Sequence, residues 1–93
     1  MSIGSTELGS KPIVYPNPLL DRSNLHLLIN STSMIEINLV DIQGRVVRKV
    51  FSGTKESGKY TFPILDGQTL AAGTYLLQIS QNGNTSTIKL VKN

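Results

Sequence analysis

Residues 25–40 read Leu25-His26-Leu27-Leu28-Ile29-Asn30-Ser31-Thr32-Ser33-Met34-Ile35-Glu36-Ile37-Asn38-Leu39-Val40, and the period of their apolar positions decides the fold. Leu25, Leu27 and Ile29 alternate with His26, Leu28 and Asn30, and Ile35, Ile37 and Leu39 alternate with Glu36, Asn38 and Val40. A strand turns successive side chains to opposite faces, so a period of two predicts two half-buried strands; a helix would repeat at three and four. Asn30-Ser31-Thr32-Ser33 supplies turn residues between them.

The same signal continues on both sides. Asp41-Ile42-Gln43-Gly44 reads as a second turn, with glycine where a positive φ is needed, so consecutive strands are expected to pair as hairpins. Arg45–Phe51 is a Val-rich strand, Ser52–Ser57 a polar connection, and Lys59–Ile64 a strand with Tyr60, Phe62 and Ile64 on one face. Pro63 on its other face suits a sheet edge. After the loop from Asp66 to Gly73, the set Tyr75, Leu77 and Ile79 points inward. Asn82-Gly83 predicts a hairpin turn into a last strand over Thr85–Lys92, with Ile88 and Leu90 on one side and Thr87, Lys89 and Val91 on the other. Upstream, Ile13-Val14-Tyr15 is a short strand stopped by Pro16-Asn17-Pro18, whose prolines withhold two backbone donors. Residues 1–11, rich in Ser, Gly and Thr, read as a flexible linker ahead of a domain over 12–93. Seven short strands with regular turn signals predict an all-β fold, a seven-stranded antiparallel β-sandwich of immunoglobulin-like type, without the Cys and Trp hallmarks of true immunoglobulin domains. The segments GKYTFPIL and GTYLLQIS each set Gly ahead of an aromatic-led strand; two copies signal shared strand chemistry, not a solenoid.

Composition narrows the function. Ninety-three residues make one domain with little volume for a deep substrate cavity. The absence of cysteine removes disulfides, thiolate nucleophiles and cysteine-ligated metals, and a single His26 removes multi-histidine sites within one chain. A net charge of +3, from nine Lys and Arg against six Asp and Glu, is mildly basic. Arg45, Arg48 and Lys49 are the densest positive group, but no aromatic residues interleave with them, so they read as a solvated face and not a nucleic-acid platform. No apolar stretch approaches the ~20 residues of a membrane-spanning helix. Met1–Lys11 lacks the basic start and apolar run of a signal peptide, so an export signal is expected in a longer precursor.

Candidate chemistry is sparse. His26 would need a nucleophile and an activating partner, and alternation turns it away from the core, so it reads as an exposed histidine. The six carboxylates are scattered, and the glycines fall one per turn without P-loop spacing. No cofactor or metal is called for. Asn30-Ser31-Thr32 and Asn84-Thr85-Ser86 match the glycosylation sequon, a pattern common by chance. Tyr60 and Tyr75 lie on inward faces and read as core, leaving Tyr15 open as a ligand-stacking residue.

Four fragments taken together resemble a known family. Val14-Tyr15-Pro16-Asn17-Pro18, Leu39-Val40-Asp41-Ile42-Gln43-Gly44-Arg45-Val46-Val47, Gly73-Thr74-Tyr75-Leu76-Leu77-Gln78-Ile79 and Lys89-Leu90-Val91-Lys92-Asn93 occur in an order and spacing similar to the C-terminal sorting domain, type A, of type IX secretion system cargo. The resemblance runs from about Pro12 to Asn93. It implies a non-catalytic address label on a larger exported protein of Bacteroidetes-type bacteria. Such cargo reaches the periplasm by an ordinary signal peptide, is recognised through this domain by the outer-membrane translocon and its shuttle proteins, and ends at the cell surface or outside the cell. A sortase-like peptidase then cuts the preceding linker.

Position by position, the resemblance assigns Tyr15, Pro16, Asn17 and Pro18 to the opening motif and Asp41, Gly44, Arg45 and Val47 to the central turn. It places Gly58 and Tyr60 on a glycine-led strand, Gly73, Thr74 and Tyr75 on the late strand, and Lys89, Val91 and Lys92 at the basic end. Gly44 and Gly73 are expected to adopt backbone angles denied to other residues. Recognition is expected at what protrudes: Lys89, turned outward from Ile88 and Leu90, Lys92 at the tip, and Arg45, whose plain alternative is a surface salt bridge. A partner could read a basic edge, main-chain hydrogen bonds, or both. Two rival readings are a carbohydrate-binding or adhesin module, marked by two or more exposed coplanar aromatic rings, and a passive structural spacer.

Overall fold

The alternating segments become seven strands in a computed structural model that describes residues 11–93. They are β1 (Ile13–Tyr15), β2 (Asn24–Ile29), β3 (Ser33–Asp41), β4 (Val46–Lys55), β5 (Gly58–Pro63), β6 (Gly73–Gln81) and β7 (Asn84–Lys92). They form two sheets, ordered β1-β2-β5 and β4-β3-β6-β7, with every neighbouring pair antiparallel. The expected linker, apart from Lys11, lies outside the described residues.

Alternation places the core as read. Leu25, Leu27 and Ile29 of β2 meet Ile35, Ile37 and Leu39 of β3, Phe62 of β5, Tyr75, Leu77 and Ile79 of β6 and Leu90 of β7 in one buried cluster. Burying such side chains contributes roughly 1.5–3 kcal/mol each relative to leaving them in water, which gives a domain without cysteine its stability.

Several expectations need correcting. Among the described residues the consecutive strands β1–β2, β3–β4 and β6–β7 pair, but the turn after β2 crosses from the smaller sheet to the larger, so β2 and β3 face one another instead of pairing. The seven-stranded antiparallel all-β sandwich is borne out, with β4 beside β3 in the larger sheet and not beside β5. The expected polar connection Ser52–Ser57 is strand as far as Lys55, because Ser33, Met34, Ile35 and Glu36 pair with Lys55, Thr54, Gly53 and Ser52. Val40 lies on the outward face of β3 as expected, yet it is buried, with Val46 and Leu76 as its cross-strand neighbours. Pro63 does sit on an edge strand.

The basic group around Arg48 also divides. Ile37 pairs with Phe51 but Asn38 with Lys49, and Leu39 pairs with Arg48 but Val40 with Val46. Val50 and Val47 are therefore extra residues, and each such bulge resets the alternation of β4. Arg48 consequently shares the inward face with Leu39. Its Nε donates to the Ile64 carbonyl and its guanidinium lies 3.8 Å from the Asp66 carboxylate, linking the larger sheet to the segment that follows β5. Arg45 and Lys49 remain exposed.

Candidate functional site

The four motif fragments, dispersed along the sequence, meet at one end of the sandwich. Asp41 of the central turn pairs with Tyr75 of the late strand. On β7, Leu90 pairs with Tyr75, Val91 with Thr74, and Lys92 with Gly73. The opening motif arrives from the smaller sheet: after Tyr15 the Pro-Asn-Pro corner, in which both prolines follow cis peptide bonds, leads to Leu19, whose N–H donates to the Val91 carbonyl at 2.8 Å. Leu19 itself is buried in the core.

The corner is held by a residue that the sequence did not flag. Ser23 is 1% exposed; its Oγ accepts from the Leu20 N–H at 2.8 Å and donates to the Pro16 carbonyl at 2.7 Å. Its backbone carbonyl accepts from the Ile64 N–H at 3.1 Å. A short polar side chain in a turn-rich stretch carries no sign of such a role, because its bonds to Leu20 and Pro16 depend on how the corner is folded and its burial on the packing of Ile64 and the core around it.

The central turn is a closed local unit. Asp41 Oδ1 accepts from the backbone N–H groups of Gln43 and Arg45, both at 2.9 Å, and its Oδ2 accepts from Arg45 Nε at 3.0 Å. Gly44, at φ 87°, adopts the left-handed conformation that lets its N–H reach the Asp41 carbonyl at 3.0 Å. The backbone N–H of Arg45 is the main cause that holds the Asp41 carboxyl below the ordinary aspartate range; partial burial opposes it, and the Arg45 side chain and the Gln43 N–H reinforce it. Asp41 and Gly44 are thus turn-builders, and Arg45 is at once an exposed cation and Asp41's partner.

The late strand is structural at its centre. Tyr75 is buried and its hydroxyl donates to the Ala71 carbonyl at 2.7 Å; Gly73, at φ 153°, gives the backbone entry to β6. The glycine-led strand β5 repeats the device, with Tyr60 donating to the Glu56 carbonyl at 2.7 Å. The side chains that protrude at the motif end include Tyr15, Asn17, Pro18, Arg45, Val47, Lys89 and Val91. Lys92 is only half-buried and shares the inward parity of Leu90, so of the two terminal lysines Lys89 is the one displayed on the sheet face.

The same end gathers exposed apolar side chains. Among the large apolar residues left exposed, Tyr15, Leu20, Ile42, Val46, Val47 and Val91 all lie in or beside the motif segments, Ile13 precedes Tyr15 by one turn of the pleat, and Met34 lies at the opposite end. On the outward face of the larger sheet, Val46, Val40, Leu76 and Lys89 make one cross-strand row, with Thr74 and Val91 next to it. The larger sheet thus exposes Val46 and Val91 beside Lys89 at this end, over a buried Val40, while Tyr15 stands out from the smaller sheet. This arrangement suits contact with a macromolecule, and it places no nucleophile beside a base.

His26 is exposed, with its Nδ1 3.3 Å from Thr61 Oγ1. Among the described residues no three His, Asp or Glu side chains group as a metal site, and no helix is long and apolar enough to cross a membrane. The aromatic rings pack inward: Phe51 lies 5.0 Å from Phe62 and Tyr60 6.2 Å from Phe62, and Tyr75 is buried, so only Tyr15 stands out on the surface. The marker of a carbohydrate platform, two exposed coplanar rings, is not met.

Residues 13–93 match the family model of the secretion system C-terminal sorting domain, and the chain belongs to that family. It is a non-catalytic sorting domain of the type IX secretion system, which implies contact with the secretion machinery and a cargo moved across the outer membrane. No curated protein matches the sequence.

Proposed function

We propose that the motif end of the sandwich is the face by which the outer-membrane translocon and its shuttle proteins select this domain. Cargo carried by it then reaches the cell surface or the medium, and a sortase-like peptidase cuts the segment ahead of the domain. The observation that carries this reading is the convergence of the four motif fragments on one end together with most of the exposed large apolar side chains. Large apolar side chains left exposed beside charged ones are what interaction surfaces display. Tyr15, Asn17, Pro18, Arg45, Lys89 and Val91 supply the contacts; Pro16, Asp41, Gly44, Gly73, Thr74, Tyr75 and Lys92 hold the surface in shape.

The test is export of a fluorescent reporter, placed behind a signal peptide and ahead of the full 93-residue chain, in a cell with the type IX apparatus. Removing residues 89–93 is too blunt: it takes the fully buried Leu90 from the core and the Val91 carbonyl from Leu19, so unfolding would be read as lost recognition. Combined Tyr15→Ala, Val46→Ser and Arg45→Ala changes only exposed side chains, and the reporter is expected to stay in the periplasm. Met34→Ser, at the opposite end, is expected to leave export intact. Normal export of the triple variant would overturn the assignment.

A further inference from the structure

The two sheets expose four edge strands: β1 and β5 on the smaller, β4 and β7 on the larger. An edge shows unpaired N–H and C=O groups to any chain that can lie alongside, and folded proteins usually blunt such edges. Three of these four are blunted. β1 is three residues long and runs into Pro16, β5 ends in Pro63, and β4 is broken by its two bulges. β7 differs: it has nine residues, no proline, and an unbroken register against β6.

Two independent observations fix which groups of β7 face outward. The two-residue Asn82-Gly83 loop makes Gln81 and Asn84 the closing pair of the hairpin, and in a hairpin of this length the closing residues exchange hydrogen bonds. Asn84, Ser86, Ile88 and Leu90 therefore turn their backbone groups to β6, while Thr85, Thr87, Lys89 and Val91 turn theirs away. The hydrogen bond from Leu19 to the Val91 carbonyl agrees, since that carbonyl points away from β6. Leu19 closes the last position. Among the described residues nothing pairs with Thr85, Thr87 and Lys89 on this side, a row about 14 Å long at the rise of an antiparallel strand.

Resting on the sorting function, we propose that this row accepts a short extended strand from a protein of the export machinery. The incoming strand pairs main chain to main chain over Thr85–Lys89, stops where Leu19 covers Val91, and sets an acidic side chain against Lys89. β7 has no acidic residue and carries Lys89 on the outward face, so the charge selects a strand with an acidic side chain at the facing position. Main-chain pairing of this kind supplies affinity, and the flanking side chains supply choice of partner.

The test uses the same reporter with the full chain. Thr87→Pro removes one outward N–H and leaves the ladder to β6 intact; Thr87→Val keeps the N–H and serves as its control. Loss of one edge bond is expected to lower export about tenfold for Thr87→Pro, equivalent to about 1.4 kcal/mol, with Thr87→Val unchanged. The melting temperature of the purified variant checks its fold. Should Thr87→Pro not fold, Lys89→Glu, which leaves the backbone untouched, decides: reduced export supports the paired acidic strand, and undiminished export overturns it. Export of a folded Thr87→Pro at the wild-type level overturns the inference while leaving the sorting function standing. Failure of the unaltered reporter to leave the periplasm overturns the sorting function itself. A wild-type dimer in sedimentation that Thr87→Pro dissolves without loss of export assigns the edge to a second copy and likewise overturns the inference.

Discussion

At the motif end, Ser23 accepts from Leu20 and donates to Pro16, Leu19 reaches across to Val91, and Arg48 donates to the Ile64 carbonyl, so that hydrogen bonds run from each sheet to segments of the other. At the opposite end, the polar bonds stay within one region: Asn82 exchanges bonds with Met34 at 2.9 and 3.0 Å, and the Asn82 and Gln81 amides approach Ser33 Oγ at 3.3 and 3.4 Å. There the sheets meet through rings, with Lys55 Nζ about 5 Å above both Phe51 and Tyr60. The difference teaches where shape is held. Directional bonds to backbone groups fix the end that displays exposed apolar side chains, while less directional ring and cation contacts suffice for the end that does not.

The two buried serines give the largest test. Ser23→Ala strands the part-buried Leu20 N–H and Pro16 carbonyl and is expected to cost about 1–3 kcal/mol in urea unfolding. Ser33→Ala removes a 2.7 Å donation to the Ser31 carbonyl and two longer bonds from the Gln81 and Asn82 amides, and because Ser31 and Asn82 are exposed and water can replace those bonds it is expected to cost less. Equal losses would show that the two ends are held alike. The paired tyrosines come next: Tyr75→Phe is expected to cost about 1 kcal/mol by leaving the Ala71 carbonyl without its donor, and Tyr60→Phe, with its hydroxyl at an exposed site, less than half of that. The smallest effect is pH-dependent. Because the Asp41 carboxyl titrates below its unfolded value, its stabilisation is fully present above the ordinary aspartate pKa and is lost as pH falls through the lower folded value. The melting temperature of Asp41→Asn should therefore lie below wild type near neutral pH and converge with it in acid below about pH 4. A constant gap across that range would remove the turn's charge from the account.

Much of this architecture was legible in the order of residues. Ile35, Ile37 and Leu39 could only face a core if they formed a strand, and Asn82-Gly83 could hardly be other than a tight hairpin. The run Val46–Phe51 was not legible in the same way, because two extra residues break its alternation and send Arg48 inward where pattern alone left it on a solvated face. Sheet membership was hidden too: a turn of Asn and Ser looks alike whether it joins neighbours or crosses the sandwich. For the site, the fragments themselves were readable, but their convergence depends on the bond from Leu19 to Val91 and on Ser23, contacts between positions that carry no local signature.

The bond between Leu19 and Val91 makes the displayed surface a property of the whole domain. A product broken anywhere between those two residues lacks one of its two halves, and a domain that has not yet closed cannot present it. An export apparatus reading that end would thereby inspect the integrity of the label before it admits the passenger.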